Sequence, residues 1–337
     1  RLERLAAGEI DLVVGTHALL SEGVAFGNLG LVVIDEQHRF GVSQRKVLRE
    51  HRGADGTRPH VLVMTATPIP RTLSLTLLGD LDVTTIPDRP PGRSLPATRV
   101  VASRQREEVF AYLRTRIESG EQCYVVVPAI EEGDAGLKAV STELDRLRDG
   151  AFRDLVVEGL HGRMPTEERE AVMERFRAGE IHVLVATVVI EVGVDVPNAT
   201  LMAIEQAERF GLAQLHQLRG RVARSERRGL CVCIADATTP DAEARMEAIA
   251  STDDGFRIAE LDLEIRGPGE LFGARQSGLA PLRVADLRTD LDLLAAARRD
   301  ARAWIERSPD LAEPEEAALR RKVMTLYGDV LGLVEVA

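Results

Sequence analysis

Two adjacent carboxylates, Asp35 and Glu36, directly follow the apolar run LVVI at residues 31–34. Such a run predicts a buried strand, and open α/β sheets build their sites at the carboxyl ends of strands. A carboxylate pair at that edge suits a Mg²⁺ ligand at Asp35 and a water-activating base at Glu36, which is the equipment for cleaving a nucleoside triphosphate. Acids also end ordinary strands and begin turns, so the pair alone leaves both interpretations open.

A second apolar run, VLVM at residues 61–64, ends in the hydroxyls of Thr65 and Thr67, and prolines then forbid a simple helix. Hydroxyls at this position can sense the state of a nucleotide or bond a nucleic-acid backbone. Threonine is equally common in strands and in turns, so an ordinary end of a strand remains the alternative.

A third run, VLVA at residues 183–186, is followed by Thr187, Gly193 and Asp195. The glycine lets the backbone approach a ligand, and the aspartate can orient a ribose or a neighbouring arginine. A second buried strand that ends in a turn would give the same pattern.

The segment QLHQLRGRVARS, residues 214–225, places Arg221 and Arg224 three residues apart, so that on a helix they share a face. Two guanidinium groups aimed at one point suit the charge that develops on a transferred phosphoryl group. Residues 208–228 hold six arginines against two glutamates, which favours a phosphate-binding patch or a solvated helix face.

Apolar, β-branched runs alternate with helix-like segments along most of the chain, which predicts parallel sheets covered by helices on both faces. The predicted helices lie at 103–119, 137–148 and 166–178. The predicted strands lie at 12–14, 31–34, 61–64, 124–127, 183–186, 200–204 and 230–235.

A composition break at residues 87–96, PDRPPGRSLP, has four prolines and predicts a stiff linker. We therefore expect an incomplete first α/β domain at 1–95 and a second α/β domain at 96–240. The strand signal stops there, and residues 241–337 are predicted to be helical.

The net charge of −11 over 337 residues argues against wrapping of nucleic acid by the whole surface. No apolar stretch is long enough to span a membrane, and no signal peptide is apparent. The three cysteines favour a reducing, cytoplasmic setting. Cys231 and Cys233 alternate along one strand without a second ligand pair, which predicts core packing rather than a metal site.

Taken together, the ordered motifs DEQH, TATP, IEVGVDVP and QLRGRVARS resemble the helicase core of superfamily two. The resemblance implies two RecA-like parallel-sheet lobes that bind ATP and Mg²⁺ in the cleft between them. A helical C-terminal region follows, and the first lobe is incomplete in this chain.

A closer similarity is to a bacterial family of ATP-dependent, fork-remodelling DNA helicases. It rests on GTHALL (15–20), DEQHRFGVSQR (35–45), VVPAIEE (126–132) and AERFGLAQLHQLRGRV (207–222). The segment GFRIAELDLEIRGPGELFGARQSG (255–278) also looks like the translocation motif that follows the second lobe in this family.

The resemblance assigns roles position by position. Catalytic groups would be Asp35 with its Mg²⁺, Glu36, Arg221 and Arg224. The remaining nucleotide-binding residues would be His38, Gly193, Asp195 and Gln217. Residues on the DNA track or in the translocation motif would be Thr16, His17, Thr65, Thr67, Thr187, Arg245, Arg266 and Gln276.

One expected motif is absent from the chain. The family binds triphosphate with G-x-x-x-x-G-K-[ST], and none of the three lysines, Lys46, Lys138 and Lys322, follows a glycine. Because the chain also begins with Arg1, we interpret it as a fragment that does not hydrolyse ATP alone. Most relatives have Gly at the position of Ala223, which makes the placement of Arg224 less certain.

The resemblance further implies a monomeric cytoplasmic protein that acts on branched double-stranded DNA, at stalled forks and Holliday junctions, in repair and recombination, with no membrane partner. Two alternatives remain at this point. One is the translocase module of a transcription-repair coupling factor, which tends to have Tyr at the position of His216. The other is a non-catalytic DNA-binding or regulatory module.

Overall fold

The computed structural model describes residues 1–21, 23–35, 59–65, 83–86, 96–128, 134–187, 196–222, 228–266 and 290–325. These residues fall into two compact units. Residues within Arg1–Pro68 and Phe272–Ala337 form the first unit, and residues within Ile69–Leu271 form the second.

The first unit contains a pair of parallel strands and several helices. Leu31 pairs with His60 and Ile34 with Val63, so the strands run in register from one end to the other. Residues 317–325 are also helical. The named elements are α1 (Leu2–Ala6), a 3₁₀ helix (His17–Leu20), β1 (Leu31–Ile34), β2 (His60–Val63), α8 (Leu291–Arg307) and a 3₁₀ helix (Pro314–Glu316).

The second unit is built on a six-stranded sheet in which every pair of neighbouring strands is parallel. The strand order is β3-β8-β7-β4-β6-β5. The strands are β3 (Ala97–Val101), β4 (Gln122–Val126), β5 (Val157–Leu160), β6 (Val183–Ala186), β7 (Ala199–Ile204) and β8 (Leu230–Ile234). The helices are α2 (Arg106–Glu118), α3 (Asp134–Asp149), α4 (Thr166–Arg177), α5 (Leu212–Arg219), α6 (Pro240–Ser251) and α7 (Gly255–Arg266).

Alternation of side chains divides the core of this unit between the two faces of the sheet. Cys123 and Val125 of β4 point to the face covered by α2 and α3. Tyr124 and Val126 point to the face covered by the helices from α4 to α7. The prediction of a parallel sheet with helices on both faces is therefore confirmed, and Cys231 and Cys233 are buried in the core as expected.

The sequence did not predict two strands of the sheet, β3 and β5. β5 has the sequence VEGL, whose Glu158 and Gly159 interrupt the apolar run. A Cβ at Gly159 would lie 2.7 Å from Leu144 Cδ1 of α3, so the leucine side chain would have to shift to admit one. β3 lies at the edge of the sheet and is half-exposed, so its sequence ATRVV tolerates polar residues.

The strand predicted at residues 12–14 is wrong. These residues are not in a strand, and the side chains of Leu12 and Val14 are 81% and 88% exposed. An apolar run becomes a strand only by pairing, and no strand lies beside this run within the described ranges.

Helices dominate the described residues beyond 240, as predicted. Thr239 is the N-cap of α6. Its hydroxyl accepts a hydrogen bond from Ala242 N–H, and Pro240 lies in the first turn. Across the described part of the chain, none of the helices combines the length and apolar character needed to cross a membrane.

Replacement of Phe110 by Ala tests the core of the second unit. Phe110 is fully buried on α2 and meets the ring of Phe152 edge-on, with centroids 5.5 Å apart. We expect Phe110→Ala to lower the free energy of unfolding by about 3–5 kcal/mol. Tyr112→Ala, on the same helix but 51% exposed, should cost less than about 1 kcal/mol. Equal losses in urea unfolding curves would contradict this packing.

Candidate functional site

Asp35 and Thr65 both lie at the carboxyl edge of the first sheet, one residue beyond β1 and two residues beyond β2. Ile34 pairs with Val63, and Met64 N–H donates to the Ile34 carbonyl at 2.7 Å, so both strands end at the same level. The side chains of Asp35 and Thr65 are both exposed at this edge. The structure therefore brings together two of the residues that the sequence placed at strand ends.

The chemistry of this edge fits Mg²⁺. Carboxylate and hydroxyl oxygens are hard donors, and protein-bound Mg²⁺ commonly takes only one or two carboxylates together with substrate phosphates. Among the residues described, no group of three or more His, Cys, Asp or Glu side chains forms a complete metal cage. One carboxylate such as that of Asp35, completed by substrate phosphates, matches this pattern of Mg²⁺ ligands.

Thr16 has a local structural role. Its hydroxyl accepts a hydrogen bond from Ala18 N–H at 3.4 Å and caps the short 3₁₀ helix that begins at His17. Seven other predicted site residues lie outside the described residues, namely Glu36, His38, Thr67, Gly193, Asp195, Arg224 and Gln276.

The carboxyl edge of the second sheet carries Thr187 after β6 and Glu205 after β7. Thr187 is buried, with 6% of its surface exposed. Gln206, which follows Glu205, adopts a left-handed conformation with φ of 49°, and this turns the chain towards α5. The connection from β7 to α5 therefore starts at the edge where open α/β sheets bind ligands.

α5 and the 3₁₀ turn Gly220–Val222 carry the predicted Gln217 and Arg221. Both side chains are half-buried. Gly229, at the start of β8, lets this turn pack against the strand. A Cβ at that position would lie 2.3 Å from the Val222 carbonyl oxygen.

Arg219 is not part of a surface patch, contrary to the expectation that grouped it with its neighbouring arginines. It is 3% exposed, and its Nη1 donates to the carbonyls of Ile249 at 3.0 Å and Thr252 at 2.8 Å. Its Nη2 donates to Nδ1 of His216 at 2.9 Å. A positive charge beside carbonyls at the end of α6 also complements the helix dipole. Arg219 therefore fastens α5 to the end of α6.

Arg245 and Arg266 both reach the short segment between β7 and α5. Arg245 on α6 donates through Nη2 to the Glu208 carbonyl at 2.9 Å. Arg266 at the end of α7 forms an ion pair with Asp262 at 3.1 Å. Its guanidinium also lies against Gly211, because a Cβ there would be 2.9 Å from Arg266 Nη2. Arg245 and Arg266, which the sequence assigns to translocation, thus contact the segment that leads into α5.

The sequence did not predict a buried group of charged residues beside this segment, formed by Arg106, Glu143 and Glu205. Arg106 of α2 donates through Nε to Glu205 at 2.6 Å and through Nη2 to Glu143 of α3. Its guanidinium also lies over the ring of Phe110, 4.3 Å from the centroid. The side chains of Arg106, Glu143 and Glu205 are 7%, 12% and 12% exposed. The sequence signal available was Glu205, an acid at the end of an apolar strand.

Burial raises the pKa of Glu143 to about 7. Repulsion by Glu205 acts in the same direction, and attraction by Arg106 opposes it. Because the folded-state pKa lies above the ordinary value, protonated Glu143 favours the folded state. This contribution is fully present below the ordinary pKa and is lost as the pH rises through about 7.

Comparison with protein families matches three parts of the chain. Residues 1–76 match the DEAD/DEAH box helicase model, and residues 105–226 match the helicase conserved C-terminal domain. Residues 252–331 match domain 3, C-terminal, of the ATP-dependent DNA helicase RecG.

Curated relatives match over nearly the whole chain. The RecG proteins of Synechocystis sp., Bacillus subtilis and Escherichia coli O157:H7 are 46%, 45% and 48% identical to it. The matches cover 98%, 96% and 92% of this chain but 39%, 47% and 45% of those relatives. The chain thus spans less than half the length of the curated relatives it matches.

Solved structures give the same fold. A RecG bound to a three-way DNA junction superimposes with a TM-score of 0.65 and 44% identity, covering 87% of this chain and 37% of that one. The DUF1998 helicase MrfA bound to DNA gives a TM-score of 0.51 at 19% identity, covering 71% of this chain and 37% of that one. The latter likeness concerns the fold alone.

The parallel sheets, their strand-end residues and the arginine-bearing helix define a RecA-like helicase core with a helical C-terminal region. The sequence identity to the curated RecG proteins and the RecG match at 252–331 specify the family within this class of helicases. The chain belongs to the RecG family of DNA helicases.

Substitution of Glu143 tests the buried charged group. Between pH 5 and 8, the free energy of unfolding should change with pH differently in the wild type and in Glu143→Gln. The difference between the two slopes should correspond to at most about one bound proton. The wild type should lose stability relative to the variant as the pH rises. Glu118→Gln, an exposed change on α2, is the control and should follow the wild type. Parallel curves for wild type and Glu143→Gln would refute the buried titration.

Replacement of Arg219 tests the link between α5 and α6. Arg219→Met leaves the carbonyls of Ile249 and Thr252 without this donor, and we expect a loss of at least about 2 kcal/mol in unfolding free energy. Arg209→Met removes an exposed arginine three residues before α5 and should change stability by less than about 0.5 kcal/mol. Urea unfolding followed by circular dichroism measures both, and a neutral Arg219→Met would disprove the link.

Proposed function

We propose that this chain forms the C-terminal motor region of an ATP-dependent DNA helicase that translocates along double-stranded DNA. Its task would be to remodel branched DNA, at stalled forks and Holliday junctions, in repair and recombination. The observation that carries the proposal is the RecG-specific match at 252–331, which begins between α6 and α7. Arg245 and Arg266 attach these two helices to the segment that leads into α5.

The first unit would supply the groups that activate water. Asp35 would hold Mg²⁺, and Glu36 would polarise the attacking water, with His38 linking the nucleotide to the DNA-binding elements. Held there, Mg²⁺ would neutralise part of the charge on the phosphates of ATP. The position of Asp35 at a strand end, on the same sheet edge as Thr65, supports this assignment.

The second unit would supply the positive charge. Arg221 and Arg224 would stabilise the charge on the transferred phosphoryl group, the role of an arginine finger. Gln217, Gly193 and Asp195 would bind the nucleotide around them. The 3₁₀ turn that carries Arg221 begins immediately after Arg219, so the buried bonds of Arg219 fix where the turn starts.

Movement of DNA would depend on the contacts of α6 and α7. Arg245 and Arg266 hold the two ends of residues 208–211, so a shift of this segment would be passed to the end of α7. Gln276 follows in the same motif. Thr16, His17, Thr65, Thr67 and Thr187 would lie along the DNA track.

The proposed partner is branched double-stranded DNA, and the proposed form is a cytoplasmic monomer. Support for the partner comes from a 44% identical RecG whose structure was determined with a three-way DNA junction. The acidic net charge of −11 means that DNA must be held by localised groups rather than by the general surface.

ATP hydrolysis tests this function. The product of the whole gene should hydrolyse ATP faster with a three-way junction than with linear duplex of the same length. Asp35→Asn should reduce this rate by about 10²-fold or more, because it removes the carboxylate assigned to Mg²⁺. Asp11→Asn, a change in the exposed loop before β1, is the control.

The 337-residue chain alone should show no junction-stimulated hydrolysis, because it contains no G-x-x-x-x-G-K-[ST] sequence to bind the β- and γ-phosphates. Equal rates on branched and linear DNA with the whole gene product would rule out the proposed substrate. Turnover by the 337-residue chain would show that its nucleotide site is built differently.

A further inference from the structure

A groove of about 560 Å³ lies between α2 and the β3–β8 edge of the second sheet. Its floor comes from Val101, Leu230 and Val232, and Arg99 lies on the same face of the sheet, between Ala97 and Val101 of β3. Val109 and Tyr112 of α2 form the wall. Tyr112 is 51% exposed, although it lies beside an apolar floor. The helix therefore covers the centre of this face and leaves its edge open.

β3 has an open edge alongside this groove. In the described part of the chain it pairs only with β8. Ala97 N–H donates to Gly229 and the Val101 carbonyl accepts from Ala235, so these residues bond towards β8. Backbone groups alternate in direction along a strand, which turns the N–H and C=O groups of Thr98 and Val100 towards the open side.

The rim of the groove is positively charged in a chain whose net charge is −11. Arg99 and Arg228 are exposed there and form no ion pair with another described residue. Arg116 also lines the groove, but Glu121 holds it at 2.5 Å. Glu108 is the one acidic residue among the described lining residues. Two guanidinium groups that form no ion pair with a described residue therefore lie beside aliphatic side chains in the groove.

These features select one kind of occupant. An extended peptide can bond to the open backbone groups and present both apolar side chains and carboxylates on the one face that meets the floor and Arg99. A second copy of this edge would bring Arg99 towards another Arg99, and like charges disfavour that pairing. Single-stranded nucleic acid would satisfy the arginines but would leave the backbone groups of β3 and the aliphatic floor unmatched.

We propose that the groove beside β3 is a docking site for an acidic protein segment that adds to the sheet as a further strand, with apolar and acidic side chains together on the face that meets the groove. The site lies on residues to which neither ATP hydrolysis nor translocation assigns a role. It would recruit a partner protein, or an acidic tail of one, to the second unit of the motor.

The 337-residue chain can be tested by fluorescence anisotropy with a labelled peptide of sequence Ser-Asp-Thr-Val-Thr-Asp-Thr-Val, which sets its acids and valines on one face of an extended strand. We expect saturable binding, and no binding of the same peptide with Lys in place of each acid. The double variant Arg99→Glu, Arg228→Glu should weaken binding by about tenfold or more. The matched control is Arg153→Glu with Arg177→Glu, a change of equal charge at exposed sites on the same unit.

The backbone contact needs a separate variant. Val100→Pro removes an N–H that points to the open side, a change that edge strands tolerate, whereas Val100→Thr keeps it. Binding should be lost in Val100→Pro and retained in Val100→Thr. Independently of any variant, the amides of Thr98 and Val100 should become protected from hydrogen exchange when the peptide binds.

Three results would overturn the proposal. The first is no binding of the acidic peptide, or equal binding of the basic one. The second is binding that leaves hydrogen exchange at Thr98 and Val100 unchanged. The third is tighter binding of an oligo-dT probe that depends on Arg99 and Arg228, since this would identify a nucleic-acid site.

Discussion

A parallel strand that is covered by helices on both faces has no side on which a polar side chain can meet water. In the second unit this constraint applies to β4, β6 and β7, whose residues are buried along their entire lengths. Chemical groups are therefore confined to the first residues beyond each strand and to the loops that follow. Thr187 and Glu205 occupy such positions. The arrangement of the whole site follows from which strands are neighbours.

Strand-end chemistry also explains what the sequence could predict. The runs at 31–34 and 183–186 coincide with β1 and β6, because a short continuous apolar run predicts a strand. The burial that such a run also predicts is found in β6 but not in β1, where Leu31 and Val33 are 60% and 51% exposed. β3 and β5 lie at the two edges of the sheet, where polar residues are tolerated and the signal fades. Residues 12–14 show the opposite error, since a similar run lacks a neighbouring strand in the described structure.

The candidate site was predictable to the extent that its residues are local to a motif. Asp35, Thr65 and Arg221 follow or belong to recognisable segments, and their assigned roles remain predictions. The Arg106–Glu205 pair joins residues 99 positions apart, and Arg106 reaches Glu143 from a different helix. No spacing rule connects such positions. Burial likewise separates Arg219 from neighbouring arginines of the same type, and only the packed structure reveals it.

The contact at Gly229 has a consequence for inheritance. The Val222 carbonyl approaches so closely that even the smallest side chain at residue 229 would collide with backbone rather than with a movable group. The 3₁₀ turn Gly220–Val222, which carries Arg221, would have to move away from β8. A missense change at this glycine codon would therefore displace the turn while leaving every residue with an assigned chemical role intact. Such an allele would be overlooked by any survey that scores only the motifs.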